Sequence, residues 1–387
     1  MPNSHYLMEV YRRYPVTLVS GEGDRLYDSD GRRYWDFLSG IGVNSLGYNH
    51  PLVRQALADS ASLLHASNLF WHEPGRELSR RMAGITGGFL SFWGNSGAEA
   101  NEGAMKLVRR AGGGRTAILS LTGAFHGRTL GALSLTPTPA YQTPFAPLVP
   151  DCHTIAFGDL KSLDEALERL RPAAVFFEAI QGEGGVVVPP AGYLRDATRK
   201  VHDAGALVVM DEVQTGMGRT GDWFAFDAEG VSPDVITVAK GLGAGVPIGG
   251  VLARPEVGEQ FQPGDHGTTF GGNLLASRMA LAVTGWLAEG GLDAVRAKSQ
   301  ELDDALRGVA ERWPGVVHEV RGRGLMRGLV INGSAPEVVM AALRQGVILN
   351  APKPDVIRFL PPLVVSSEAI GEMANVLDKI LAEIPVN

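Results

Sequence analysis

Two apolar segments that end abruptly in ionisable residues most limit the folds open to this chain. Residues 207–210 (LVVM) are followed by Asp211, and residues 235–239 (VITVA) are followed by Lys240. Short, nearly continuous β-branched runs are typical of parallel strands that helices cover on both faces. They predict an α/β protein whose large domain has a mostly parallel central sheet flanked by helices.

The ends of these two strands predict a binding site. Ligands of open α/β sheets bind outside the carboxyl ends of the strands, so Asp211 and Lys240 are expected on the same rim. A partly buried carboxylate and amine suit a cofactor that needs a negative partner for a ring nitrogen and an amine to form a Schiff base, which is pyridoxal phosphate. Either residue alone is more often a solvated loop residue, so the hypothesis depends on how other strands end.

A second apolar run, residues 89–93 (FLSFW), leads into a turn and a helix with an apolar stripe. The free N–H groups at the start of a helix bind anions, which predicts a phosphate site at Ser96, Gly97 and Ala98. On this stretch alone, Asn95 or Ser96 could equally be a simple N-cap.

Other strand ends and turns carry residues that suit a site, although each has a structural alternative. Phe125 is suited to stack on a ring and Arg128 to bind a carboxylate, whereas His126 is given only a minor role. Glu183 lies in a glycine-rich loop, where glutamates are usually solvated. Residues 267–273 (GTTFGGN) place two hydroxyls beside bare backbone, and Arg358 interrupts an apolar run, where a charge needs an anion.

Composition excludes several classes of function. The net charge of −7 argues against nucleic-acid binding, which depends on basic patches. Cys152 is the only cysteine, so neither a disulfide framework nor a cysteine-based metal site is expected, and a cytoplasmic location is favoured. Residues 1–14 lack the features of a signal peptide, and no run is long enough to span a bilayer, so no membrane association is expected.

A dinucleotide-binding site is the main alternative from a different class. Residues 216–221 (GMGRTG) match the G-x-G-x-x-G pattern. That pattern must follow a strand directly and open a helix, and neither condition is met here. We interpret the match as accidental.

The distribution of elements predicts two domains. Residues 1–50 are expected to contribute antiparallel strands to a small domain, residues 51–263 to form the large domain, residues 264–290 to form an interface turn and connecting helix, and residues 291–387 to complete the small α/β domain.

Taken together, these motifs resemble the class III, fold type I aminotransferases that use pyridoxal phosphate, across nearly the whole chain. No single motif is specific, but the set is. The motifs are 95–102 (NSGAEANE), 125–129 (FHGRT), 181–185 (QGEGG), 211–216 (DEVQTG), Lys240 and 267–273 (GTTFGGN).

The resemblance implies a role for each matching residue. Lys240 would carry the cofactor, and Asp211 would pair with its ring nitrogen. The remaining cofactor contacts would be Phe125, Glu212, Val213 and Gln214 around the ring, Ser96, Gly97 and Ala98 at the phosphate, and Thr269 from the partner subunit of an obligate homodimer. The substrate contacts would be Arg128 and Thr268 at the α-carboxylate, Arg358 at a carboxylate of glutamate or 2-oxoglutarate, and Glu183 as the group that neutralises Arg358.

The resemblance also implies a ping-pong reaction, in which the distal amino group of N2-acetylornithine passes to 2-oxoglutarate in arginine biosynthesis. Within the family the alternatives are ornithine, succinylornithine, 4-aminobutyrate or carrier-linked aminoadipate semialdehyde as substrates, and a glutamate-1-semialdehyde aminomutase. Outside it they are a nucleotide-binding dehydrogenase and a catalytically silent binding scaffold.

Overall fold

The computed structural model of the chain describes residues 6–384. Residues 1–5 and 385–387 lie outside that range. They are the ends of the first and last predicted domain segments, and residues 1–5 also begin the stretch 1–14 in which no signal peptide was expected. Within residues 6–384, every helix is too short or too polar to cross a bilayer.

The described strands form three sheets. In chain order the strands are β1 (Leu18–Glu22), β2 (Arg25–Asp28), β3 (Arg33–Asp36), β4 (Leu90–Gly94), β5 (Ile118–Leu121), β6 (Cys152–Ile155), β7 (Ala174–Phe177), β8 (Leu207–Asp211), β9 (Val235–Val238), β10 (Gly249–Ala253), β11 (Val317–Arg323), β12 (Met326–Ile331), β13 (Val347–Ile348), β14 (Asn350–Lys353) and β15 (Val356–Phe359).

The central sheet has seven strands in the order β4-β10-β9-β8-β7-β5-β6. Strand β10 runs antiparallel to its neighbours β4 and β9, and the other neighbouring pairs are parallel. All residues of β5, β7 and β9 are buried, because helices cover both faces. The predicted mostly parallel, covered sheet is therefore confirmed, with β8 and β9 adjacent at its centre.

Helices fill the intervals between the strands. The longer ones are Pro51–Ser60, Glu73–Thr86, Gly97–Ala111, Leu160–Leu170, Tyr193–Asp203, Leu274–Trp286, Leu292–Arg312, Ala335–Arg344 and Ser367–Leu381, and the shorter ones are Ser39–Gly42, Leu130–Ser134, Pro139–Gln142 and Pro255–Gly258.

The N-terminal and C-terminal segments share a sheet. Its strand order is β1-β2-β3-β13, and β13 joins in parallel next to β3, with Val347 opposite Trp35. A third, antiparallel sheet has the order β11-β12-β15-β14 and carries Arg358 in β15. This pairing is compatible with a small domain built from both ends of the chain, and the numerical domain boundaries stay predictions.

Two elements are longer than the apolar patterns visible in the sequence. The helical apolar period is clear only over residues 302–309, but the helix covers Leu292–Arg312. The alternating pattern covers residues 16–19, whereas β1 begins at Leu18 and continues to Glu22, which pairs with Arg25 across a two-residue turn. Gly23 in that turn has a φ of +57°, which glycine adopts without strain.

We predict opposite effects for two glycine-to-alanine substitutions. A Cβ on Gly249 would lie 2.0 Å from the carbonyl oxygen of Ser96, so Gly249→Ala forces β10 and the turn after β4 apart, at a cost of ~1–3 kcal/mol. Gly371 lies within the helix Ser367–Leu381, and its Cβ would meet nothing within 4 Å. Gly371→Ala therefore raises the free energy of unfolding by ~0.4–1 kcal/mol. Urea unfolding followed by circular dichroism measures both, and a Gly249→Ala midpoint equal to that of wild type would contradict the prediction.

Candidate functional site

A cavity of about 450 Å³ lies at the carboxyl ends of β5, β7, β8 and β9. The strand ends and loops that were singled out in the sequence meet there. The predicted site residues that line it are Ser96, Gly97, Ala98, Phe125, Arg128, Glu183, Asp211, Val213, Gln214 and Lys240. Arg358 lies behind this wall and contacts two of these residues, Glu183 and Gln214.

Three predicted site residues lie elsewhere in the described chain. The buried carboxylate of Glu212 accepts hydrogen bonds from the Thr215 hydroxyl and from two backbone N–H groups, so it fixes the following loop instead of lining the cavity. Thr268 lines a separate cavity, and its hydroxyl accepts a hydrogen bond at 3.1 Å from Asn95, a residue of the main cavity wall. Thr269 is exposed and lines neither cavity.

Asp211 is the centre of a buried hydrogen-bond network. Its carboxylate is 4 % exposed, and its Oδ2 accepts from Asn101 Nδ2 at 2.8 Å and from His126 Nδ1 at 2.7 Å. Its Oδ1 accepts from the Val213 N–H at 3.0 Å. The Thr237 hydroxyl donates to Asn101 Oδ1 at 2.8 Å, which fixes the amide orientation that points Nδ2 at the carboxylate. The network thus holds Asp211 in one position.

His126 partly compensates the charge of Asp211. Burial disfavours the charged imidazole, but the hydrogen bond and the negative charge of Asp211, with a contribution from Glu178, outweigh burial and raise the pKa of His126. Its Nε2 has no hydrogen-bond partner within residues 6–384. A histidine that was given a minor role is therefore the direct partner of the central carboxylate.

Glu178 adds a third carboxyl group to the cavity wall, beside those of Asp211 and Glu183. It directly follows β7, and its Oε2 accepts a hydrogen bond from the Phe125 N–H at 3.1 Å. Burial raises the pKa of Glu178 to about 7, against opposing contributions from His126 and Lys240. This side chain therefore changes its charge near neutral pH.

Lys240 combines a strained backbone with an amine that is easily deprotonated. Its φ is +43°, an uncommon value for a residue with a side chain, and such outliers concentrate at functional sites. Burial lowers the pKa of the amine, and the positive charge of Arg358 lowers it further, whereas nearby carboxylates oppose the shift. A lowered pKa increases the fraction of neutral, nucleophilic amine.

The start of the helix Gly97–Ala111 provides a site for an anion. The Ser96 hydroxyl caps the helix by accepting from the Glu99 N–H at 3.1 Å. A Cβ on Gly97 would lie 2.6 Å from Val213 Cγ1, so the helix start packs closely against the segment after Asp211. Because the first N–H groups of a helix have no intrahelical partner, Gly97 and Ala98 can donate to an anion in the cavity.

Arg358 is buried beside the cavity and forms an ion pair with the partly exposed Glu183. The residue is 1 % exposed, and its Nη1 donates to Glu183 Oε1 at 2.6 Å and to Gln214 Oε1 at 3.1 Å. Burial alone would raise the pKa of Glu183, but the charge and hydrogen bond of Arg358 outweigh burial and lower it. The sequence predicted that the buried charge of Arg358 needs an anion, and Glu183 of the same chain provides one.

Arg128 is an exposed residue that lines the cavity. Its guanidinium carbon lies 3.5 Å from the centre of the Tyr141 ring and 5.5 Å from that of Phe125. Stacking on two rings restricts the guanidinium while leaving its N–H groups available for a planar carboxylate.

Sequence reasoning gave no role to several residues of the site, although faint signals were present. Asn101 lies among the apolar residues of its helix, and Thr237 is the only polar residue of β9. A polar side chain in a buried stripe must find a partner: Thr237 donates to Asn101, and Asn101 donates in turn to Asp211. Glu178 was recognised only as a strand end, and Asn350, which bonds Arg358 Nε, had no signal.

The arrangement fits pyridoxal phosphate on three observations. A buried carboxylate, Asp211, lies on the cavity wall, an amine of lowered pKa, Lys240, lies on the same rim, and a helix start with Gly97 and Ala98 faces the cavity. The residues are those required to pair with a ring nitrogen, to attach an aldehyde and to bind a phosphate.

Comparison with known proteins gives consistent matches over nearly the whole chain. The family described as class-III aminotransferases matches residues 7–381. An acetylornithine aminotransferase of Caldanaerobacter subterraneus is 43% identical, covering 98% of this chain and 98% of that protein. One from Streptomyces coelicolor is 46% identical, covering 96% and 94%.

Solved structures share the fold. The ornithine aminotransferase of Toxoplasma gondii superposes with a TM-score of 0.92 at 34% identity, covering 98% of this chain and 93% of that one. The N-acetylornithine aminotransferase of Stenotrophomonas maltophilia superposes with a TM-score of 0.84 at 36% identity, covering 98% and 97%.

The raised pKa of Glu178 predicts a pH dependence of stability. A carboxyl with a folded-state pKa of about 7, above its ordinary value of 4.5, stabilises the fold fully below pH 4.5, and this contribution is lost as the pH rises through 7. Glu178→Gln keeps an acceptor for the Phe125 N–H but cannot ionise. We expect its free energy of unfolding to fall less between pH 5 and pH 8 than that of wild type.

The measurement is urea unfolding across that pH range. Glu168→Gln, at an exposed position, is the matched control and should follow the wild-type curve. Parallel curves for Glu178→Gln and wild type would contradict the assignment of Glu178 as the titrating group.

Proposed function

This chain belongs to the class III aminotransferases, and we propose that it transfers the distal amino group of N2-acetylornithine to 2-oxoglutarate. The products would be N-acetylglutamate 5-semialdehyde and glutamate, formed by ping-pong exchange in arginine biosynthesis. As a member of this family the protein is an enzyme that depends on pyridoxal phosphate. This choice of substrates is supported by the ion pair between Glu183 and the buried Arg358, which lies beside the Lys240 cavity.

The pair supports an enzyme that accepts two substrates of different charge at one site. Glutamate and 2-oxoglutarate carry a second carboxylate, which Arg358 would bind after Glu183 has moved away. N2-acetylornithine carries a single carboxylate, and its distal end would pass the pair while Glu183 keeps Arg358 neutralised. A buried arginine is costly without an anion, so one carboxylate must replace the other.

Arg128 would bind the α-carboxylate of N2-acetylornithine, because its stacked guanidinium presents a planar set of donors at the cavity. Thr268 lines a separate cavity, and its proposed assistance to Arg128 rests on the family resemblance alone.

Four groups of this chain would position the cofactor. Asp211 would place a negative charge against the ring nitrogen, with His126 and Asn101 fixing its carboxylate. The helix start at Gly97 would bind the phosphate. Phe125, Val213 and Gln214 would contact the ring, and Thr269 would contribute from a partner subunit.

Lys240 would act as attachment point and as base. Bound pyridoxal phosphate supplies an electron sink that makes the proton on the amine-bearing carbon of the substrate removable. When the incoming amine has displaced it, Lys240 Nζ would be neutral because burial lowers its pKa, so it can take up that proton and return it on the other side of the transferred nitrogen.

We further propose a homodimer with shared sites and a location in the cytoplasm. An exposed apolar group near the second cavity, which includes Leu69, Phe70, Trp71 and Phe270, supports a subunit contact at the turn that carries Thr269. The unpaired thiol of Cys152 supports a reducing compartment.

The second candidate function is transfer of the distal amino group of a different donor, as in related aminotransferases. The ornithine aminotransferase of Toxoplasma gondii is 34% identical over 98% of this chain, so ornithine is the donor to be tested alongside acetylornithine.

Half-reactions with single donors test the proposal. We expect acetylornithine and glutamate to change the visible absorption of the bound cofactor, and ornithine, succinylornithine and 4-aminobutyrate to react with a kcat/KM at least about tenfold lower than acetylornithine, a difference of ~1.4 kcal/mol. Lys240→Ala should abolish both the wild-type absorption band and turnover. A faster reaction with any other donor would replace acetylornithine, and colourless protein in the presence of the cofactor would overturn the site.

Glu183→Ala tests the charge switch. Without this carboxylate Arg358 stays available, so the glutamate half-reaction should be retained while kcat/KM for acetylornithine falls by about tenfold or more, since Arg358 then has no anion during that half-reaction. Glu372→Ala, at an exposed position in the last helix, is the control and should match wild type. An unchanged preference between the two donors in Glu183→Ala would exclude Glu183 as the switch.

A further inference from the structure

Asn350 lies directly opposite Arg358 in the small antiparallel sheet. The two residues are register partners in β14 and β15, and opposite residues of an antiparallel pair project to the same face. Asn350 Oδ1 accepts a hydrogen bond from Arg358 Nε at 2.9 Å. The base of the guanidinium is therefore held by a neighbouring strand, whereas its outer nitrogens face the Glu183 loop.

Of the side chains that accept hydrogen bonds from Arg358, one is charged and two are neutral. Nη1 donates to the carboxylate of Glu183 at 2.6 Å and to the neutral amide of Gln214 at 3.1 Å, and Nε donates to the neutral amide of Asn350. Glu183 is the only ion-pair partner of Arg358 among residues 6–384. A single carboxylate therefore compensates the charge of Arg358, which is 1 % exposed. This carboxylate belongs to Glu183, which lies in a loop and has a side chain that is 33% exposed.

The neutrality of Asn350 has a functional consequence. If residue 350 carried a carboxylate, Arg358 would be compensated permanently, and the departure of Glu183 would not create a demand for a second anion. If residue 350 lacked an acceptor, the guanidinium would lose the contact that fixes its plane, and bidentate binding of a carboxylate depends on that plane. An amide meets both requirements.

We propose that Asn350 is a specificity-determining positioning residue for the dicarboxylate half-reaction. Its amide oxygen fixes the guanidinium of Arg358 through Nε without neutralising it, so that Arg358 exchanges Glu183 for the second carboxylate of glutamate or 2-oxoglutarate. This inference rests on the proposed function, in which one site alternates between N2-acetylornithine and these dicarboxylates.

The test compares Asn350→Asp with wild type in both half-reactions of the cofactor-loaded enzyme. We expect the half-saturating concentrations of 2-oxoglutarate and glutamate to rise by about tenfold or more, because the added carboxylate repels and competes with theirs. The half-saturating concentration of acetylornithine should change by less than about threefold, since Arg358 stays neutralised in that half-reaction. Gln345→Glu is the matched control, because it adds the same charge at an exposed position after the helix Ala335–Arg344 and should leave both values unchanged.

A second variant separates orientation from charge. Asn350→Ala removes the acceptor without adding a charge, so we expect it also to weaken 2-oxoglutarate selectively, but by less than Asn350→Asp. The acetylornithine half-reaction and the visible spectrum report in each variant whether the protein is folded and loaded.

Three results would overturn the inference. These are unchanged half-saturating concentrations of 2-oxoglutarate and glutamate in Asn350→Asp, an equal loss of both half-reactions, which marks a purely structural role, and a dicarboxylate defect of the same size in Gln345→Glu. A wild-type enzyme that reacts with neither acetylornithine nor glutamate would instead overturn the proposed function and the inference with it.

Discussion

The buried carboxylate of Asp211 is the constraint on which the rest of the site depends. A charge that is 4 % exposed requires hydrogen bonds and a nearby opposite charge. Asn101, His126 and the Val213 N–H supply the hydrogen bonds, and Thr237 orients Asn101. These partners come from one helix, from the loops that follow β5 and β8, and from strand β9, so the carboxylate is held only when all of them are packed together. The geometry around the proposed ring nitrogen is therefore a property of the whole central sheet.

Two buried arginines connect the central sheet to the antiparallel sheet β11-β12-β15-β14. Arg219, which is 2% exposed, donates from Nη1 to the carbonyl oxygens of Leu325 at 3.2 Å and Pro361 at 2.5 Å, and burial lowers its pKa to about 9. It thereby joins the loop after Asp211 to the turn before β12 and to the segment that follows β15, the strand of Arg358. Arg358 in turn contacts Glu183, which follows β7. The first arginine is satisfied by fixed carbonyl groups, whereas the second depends on a carboxylate that can be exchanged, which suits a structural and a substrate-binding role respectively.

Local patterns predicted the central sheet and the positions of the principal site residues. The runs that became β8 and β9 were recognisable because strands covered on both faces have continuous apolar sequences, and the rim position of Asp211 and Lys240 followed from the polarity of a parallel sheet. The anion site at Ser96 followed from helix geometry. Glu212 could not be distinguished in this way from its neighbours, because its carboxylate turns towards backbone N–H groups that lie in a later loop.

The sequence by itself determined the class of fold, the strand ends that carry the chemistry and the residues that match the family, since these depend on short-range periodicity and on motifs. Only the tertiary structure decided most of the polar partners: His126 and Asn101 with Asp211, Asn350 with Arg358, and Thr268 with Asn95. Those pairs join residues that are distant in the chain. Their hydrogen bonds depend on side-chain directions that the packing of sheets and helices fixes, and no local pattern in the sequence encodes them.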